Sequence, residues 1–250
     1  MIFGLEFPPI SHVVEWPVGP LGINKVVVLM WLSFLISFGV MILGGRKKAL
    51  VPTGVQNVAE SAVDFVEEGI VLQTIGPDGL KFTPFLLTLF VFILTCNIWG
   101  LIPGAQMPVN ARIALPVFMA LLVYVIYHTV GIVTQGPITY MKNIMFMPGV
   151  PKVMYVLLTP IELVTKFISQ PLSMAVRLFA NMLAGHLLLV SFAVITAALA
   201  TLGPTLIIFP FSFGLLVFLT TFEVLVAFLQ AYIFTILAAV YIADAMHPAH

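Results

Sequence analysis

Between Leu215 and Ala243 the chain reads LLVFLTTFEVLVAFLQAYIFTILAAVYIA, without a proline or glycine and with one charged side chain, Glu223. As a single helix this stretch is roughly 43 Å long and apolar on nearly every side. Water does not support such a helix, whereas hydrocarbon does. A second run, Ile161 to Leu202, holds only Pro171 and Gly185 as possible interruptions and would extend roughly 63 Å. Both exceed the roughly 30 Å hydrocarbon thickness of a bilayer. The strong turn between them is Leu202-Gly203-Pro204, so together they predict a long, strongly tilted hairpin. Membrane helices tilt by about 20° on average, so a steeper inclination calls for a cause such as a curved partner surface.

Three shorter apolar runs precede the hairpin. They span 26–45, then 82–102, stopped by Pro103, then 113–133, stopped by Gln135-Gly136-Pro137. Soluble domains carry about 25% charged residues; this chain has 8%, with 61% hydrophobic residues. The expected fold is an all-α polytopic membrane protein forming one transmembrane domain over 1–250. It has about five spans, the last two being the hairpin arms 155–202 and 205–246. Zero formal net charge argues against a nucleic-acid partner. Cys96 is the single cysteine and lies in an apolar run, where it acts as a small hydrophobe. Residues 1–25 hold Glu6 and Glu15 with no basic segment of the kind that opens a cleavable signal. Arg46-Lys47-Lys48 follow the first span and hold that end inside, which puts the N-terminus outside and, after five spans, the C-terminus inside. Lys81, Lys142 and Lys152 then also fall inside, and Lys25 and Arg112 outside.

Residues 53–72 alternate differently. Thr53 and Gln56 have the spacing of a capping box. Val55, Val58, Ala62 and Phe65 form one stripe, and Glu60, Asp64, Glu67 and Glu68 another. This is an amphipathic helix at the inner membrane surface, whose acidic face suits a protein partner as well as it suits water.

Folding the hairpin about Gly203-Pro204 brings its polar residues level in three layers: His186 with Glu223, Arg177 with Gln230, and Glu162 with Asp244 and His247. The upper two layers lie about 14 Å apart along the axis. His and Glu exchange protons near neutrality when their surroundings shift them; Arg keeps its proton. Two protonatable layers on either side of a fixed cation make two proton-accessible vestibules with a positive barrier between. A charge at the bilayer centre costs at least ~2.5–3.5 kcal/mol, so Arg177 demands a function. Arg177, Asn181 and Ala184 follow i, i+4, i+7 with Ala180 beside them, a face of small residues that another surface can approach closely. His186 points to roughly the opposite face, into the subunit. Lys166 reads as a snorkelling side chain, and His128 and Asn97 as helix-packing groups.

RLFANMLAGH, preceded by QPLSMAV and followed by FEVLVAFLQAYIFTILAAVYI, resembles subunit a of F-type ATP synthases, in the form seen in the mitochondrial and alphaproteobacterial branch. NIWGLIP at 97–103 is similar to the same family. The resemblance implies a non-catalytic stator subunit without cofactor or metal, in a bacterial plasma membrane or a mitochondrial inner membrane. It would form two offset proton half-channels against a rotating c-ring, with the subunit b/b' peripheral stalk, other synthase subunits and lipid as further partners. In those terms Arg177 faces the ring, with Asn181 and Gln230 near it. His186 and Glu223 belong to the outer half-channel, Glu162 and, more weakly, Asp244 to the inner one. A ring pressed against the hairpin also supplies the reason for its tilt. The alternatives are an ion-coupled secondary transporter, which would need a substrate cavity and usually paired repeats that the sequence lacks, and a passive membrane anchor, which leaves three polar layers without purpose.

Overall fold

A computed structural model describes residues 24–46, 53–102, 107–146, 154–200 and 204–246. Among them there is no β-strand, and five helical stretches are long and apolar enough to cross a membrane. The protein is an all-α polytopic membrane protein. Helix α1 (Lys25–Arg46) is followed by α2 (Val55–Val66), which runs on through a π turn, Glu67–Val71. A 3-10 turn, Pro77–Phe82, leads into α3 (Thr83–Ile98), and another, Val109–Ala111, precedes α4 (Ala114–Gln135). Then come α5 (Pro137–Met145), α6 (Tyr155–Val164) with a π turn at Thr165–Ser169, α7 (Gln170–Leu199) and α8 (Phe209–Met246). Residues 47–48, 103, 152, 203 and 247, used above for orientation, breaks and layers, lie outside the described residues.

Helix α8 is the axis of the packing, touching α3, α4 and α7. Its buried stripe is made of small residues, Ala227, Ala231, Ala238 and Ala245, joined by Ile242. Alanines let helix backbones approach closely, which matters where lipid supplies no hydrophobic drive between helices. The opposite side of α8 exposes large apolar groups, Phe218, Phe222 and Leu225 among them. At 38 residues it is roughly 57 Å long, and its partner arm, Tyr155–Leu199, is longer still. Neither fits upright within hydrocarbon. The arms are tied near their connection by a buried pair, Thr196 Oγ1 and Ser212 Oγ, 2.7 Å apart.

Two local expectations need correction. Thr53 does not cap α2: Gly54 occupies the N-cap with φ 60° and no side-chain cap bond, so Gln56 falls too early for a capping box and bonds Glu60 Oε1 at 2.8 Å instead. The apolar stripe of α2 leaves Val55 and Val58 exposed, while Gln56, Ala59 and Val66 face the protein. Gln135-Gly136-Pro137 does end α4, but a further helix starts at once, because Gly136 takes φ 81° and Pro137 sits at the start of α5. Gly131 lets α5 fold back on α4: a Cβ there would lie 2.3 Å from the Tyr140 ring.

Asn97 and Asn110, each 1% exposed, join three parts of the fold. Asn110 Nδ2 donates to Asn97 Oδ1 at 2.7 Å, and Asn97 Nδ2 donates to the Ala227 carbonyl of α8 at 3.1 Å. Removing one partner leaves the others buried and unmatched. Asn97→Ala should therefore destabilise the fold by about 1–3 kcal/mol, read as a lowered midpoint in thermal unfolding of the detergent-solubilised protein; an unchanged midpoint would show that the network carries no weight.

Candidate functional site

The face of α7 carrying Arg177 is open. Ser173, Arg177, Ala180, Asn181 and Ala184 are all exposed, whereas Met174, Leu178, Met182 and His186 are buried. The chain thus displays its one mid-helix guanidinium beside a shelf of small side chains, with Met174, Leu178 and Met182 turned inward and Leu172 and Val176 exposed nearby. Among the described residues no carboxylate pairs with it.

Beneath this shelf, His186 and Glu223 are nearly fully buried, at 4% and 7% exposure. Gly185 brings its backbone against the Glu223 carboxyl, so close that a Cβ would lie 2.9 Å from Oε1. His186 follows immediately in the chain and therefore lies at the same level of the hairpin. Its Nε2 is buried without a protein hydrogen-bond partner, a state that buried polar atoms rarely keep without a functional reason. Gln230, seven residues from Glu223, is buried on the same stripe of α8.

The Arg177 guanidinium is near enough to Tyr241 to act on it electrostatically, and the Tyr241 phenol also meets Ser173. Side chains on a helix lean toward its N-terminus. The α7 arm runs antiparallel to α8, so a long side chain on α7 reaches past its own level toward the C-terminal end of α8.

At the inner end Asp244 pairs with Lys166, and Lys166, expected to snorkel, is 22% exposed against 41% for Asp244. Glu162 is half-buried one turn away. The count assumed unbroken α-helix, and the π turn Thr165–Ser169 breaks that assumption. The turn has a visible cause. Gln170 N–H bonds the Thr165 carbonyl, and the next nitrogen, that of Pro171, has no hydrogen to give. The Lys166 carbonyl is thereby orphaned, and Tyr127 Oη donates to it at 3.0 Å from α4. Pro171 opens no gap; it recruits a neighbouring helix.

Around this end stand Tyr127, His128, Tyr140 and Phe167, in mutual ring contact with Tyr241 at its edge. Burial pushes the Tyr140 phenol up to about 12, with Asp244 adding to the effect. It therefore keeps its proton, and its Oη is hydrogen-bonded with His128 Nδ1 at 2.8 Å. Gln135 Nε2 closes the end of α8 by donating to the Ala245 carbonyl at 2.7 Å, and Asn143 steadies it at 2.9 Å. Among the described residues no three His, Cys, Asp or Glu side chains gather as metal ligands. Lys166, Tyr241 and Tyr127 escaped sequence reasoning. For Tyr241 a signal existed, since it falls on the Glu223–Gln230 stripe at the spacing that carries on to Asp244.

A family model described as ATP synthase A chain matches residues 27–243. Among similar proteins, an ATP synthase subunit a from Parafrankia sp. is 42% identical over 93% of this chain and 79% of its own length. One from Rhodopseudomonas palustris is 43% identical over 88% of this chain and 87% of its own. One from Frankia alni is 40% identical over 90% and 78%.

The exposed shelf suits close approach by another surface. Ala184→Phe should leave thermal unfolding of the isolated protein within about 0.5 kcal/mol of the original, as exposed positions do, and yet disrupt coupling in the assembled complex. Normal coupling by the variant would mean that nothing seats there.

Proposed function

Because the chain belongs to the ATP synthase A chain family, we propose that its open Arg177 face is the surface along which the rotor's c-ring turns. The chain is a non-catalytic, proton-translocating stator subunit of the membrane sector of an F-type ATP synthase, and its partners are other subunits of that synthase. The observation that carries the reading of the site is the placement of Arg177: a permanent cation, exposed, on small residues, in the middle of an apolar arm.

A cation there stabilises a carboxylate presented by the ring and repels a free proton. On the outer side, Glu223 and His186 pass an incoming proton to a ring carboxylate. Once neutral, that acid enters lipid at far lower cost than a charged one would. After nearly a full turn it reaches the inner vestibule, where Asp244 and Glu162 accept the proton as Arg177 draws the acid back into its ionised form. Asn181 stands one turn from Arg177 on the ring-facing side, and Gln230 continues the polar stripe of α8 between the two vestibules. Each proton crossing yields about 2.3 kcal/mol per 100 mV; the offset of the vestibules forces that energy through rotation. The N-terminus lies outside and the C-terminus inside, and the lipid- or stalk-facing surface includes the large exposed side chains of α1, such as Trp31, Leu35 and Phe38.

Two substitutions test the reading in inverted membrane vesicles carrying the whole synthase. Arg177→Ala should abolish ATP-driven acidification while the complex still assembles; retained coupled pumping refutes the role. Gly185→Ala pushes a methyl group against the Glu223 carboxyl and should slow pumping about tenfold, with assembly intact. Glu223→Gln should slow it too, and unchanged flux in both variants would take Glu223 out of the path.

A further inference from the structure

The inner end of the hairpin contains an element that the proton path does not require. Lys166 is not an acceptor, yet it reaches across to α8 and closes on Asp244. It sits inside the π turn Thr165–Ser169, the irregular segment of an otherwise continuous helical arm, Tyr155–Leu199. A π turn holds one residue more than an α turn and is the place where a helix can relax or slip. Slippage by one residue turns everything beyond it by about 100°. Arg177 lies eleven residues beyond Lys166, so a slip at the π turn would swing the guanidinium off the exposed shelf.

Three ties resist that slip. Tyr127 Oη holds the Lys166 carbonyl from α4 at 3.0 Å. The Lys166 ammonium holds Asp244 on α8. One turn along α8, three residues before Asp244 and on the same side, Tyr241 meets Ser173 and the Arg177 guanidinium. The ties thus run from the π turn to α8 and, through the rigid spacing of Asp244 and Tyr241, back to Arg177. Other polar groups near the pair are Tyr140 of α5 and His128 of α4, which bond each other.

Resting on the reading of Arg177 as the ring-facing cation, we propose that the Lys166–Asp244 ion pair is a positioning crossbar that fixes the rotation and depth of Arg177. Lys166 is a positioning residue acting through α8. Partly exposed ion pairs add little to global stability. The effect of removing this one should therefore appear in coupling and not in the amount of folded complex.

The test measures protons pumped per ATP hydrolysed, per assembled synthase, in inverted vesicles. Lys166→Met should lower that ratio about threefold or more with the amount of complex unchanged. Lys166→Arg, which keeps the cation, should restore it to within about twofold of the original. A normal ratio in Lys166→Met, or a Lys166→Arg variant that rescues nothing, overturns the crossbar. So does a loss of complex with the ratio per complex intact, which marks a purely structural role. Should Lys166→Met fail to assemble, Lys166→Gln is read by the same ratio. Arg177→Ala, measured in parallel, separates the two ideas. If it stays coupled, the underlying reading falls; if it uncouples while Lys166→Met does not, only the crossbar falls.

Discussion

Hydrocarbon offers a polar group no partner, and this constraint shapes the molecule from its backbone upward. Helix satisfies every interior N–H and C=O within one segment, so the described residues contain helix and turn but no strand. Hydroxyls obey the same rule: Ser33, Thr88, Thr129, Ser191, Thr220 and Thr235 each return a hydrogen bond to a carbonyl of the preceding turn. Where the ladder fails, another helix supplies the donor, as Tyr127 does for the carbonyl that Pro171 leaves unmatched and Gln135 does at the end of α8. Against that background an exposed guanidinium without a carboxylate is conspicuous, because the chain satisfies its other demands so locally.

The two arms of the hairpin divide the work by side-chain size. Helix α8 brings alanines inward to sit closely on its neighbours and sends phenylalanines outward. Helix α7 does the reverse around Arg177, burying Met174, Leu178 and Met182 and presenting alanines to the outside. One arm is packed as part of the subunit, and the other leaves a face with small residues uncovered.

Much of this was legible in the sequence, for reasons that can be located. The apolar runs declared the spans, since nothing else in a chain can be that long and that greasy. The i, i+4, i+7 spacing of Arg177, Asn181 and Ala184 gave their common exposure, because helical phase is nearly independent of what surrounds it. Phase also carried Glu223 and Gln230 to one buried stripe. Depth was harder. Residue counting along antiparallel helices put Glu162 level with Asp244, but it gave no sign that Lys166, at a π turn, pairs with Asp244. Counting Cα positions also gave no sign that Tyr241 feels the charge of Arg177. Thr53 failed as a cap because Gly54, with φ 60°, took the position. Phase survives local irregularity within a turn or two; register and side-chain reach do not.

The asymmetry between the hairpin's two ends bears on how protons are kept from crossing directly. His186 and Glu223 are almost sealed, whereas Lys166 and Asp244 are a fifth and two fifths exposed. On the proposed path, a vestibule enclosed within the subunit would deliver its proton sideways to a rotor site, since the Gly185 backbone lies against the Glu223 carboxyl. A vestibule open at the far end can instead equilibrate with its own compartment. Direct passage between them would follow the α8 stripe past Gln230 to Tyr241, and the cation lies beside that last step. Its charge makes the short route along the stator unfavourable for a free proton, while the same charge favours an ionised acid arriving from outside. On the proposed path one group thus opposes leakage and favours rotation, and the proposed ties would hold it beside Tyr241.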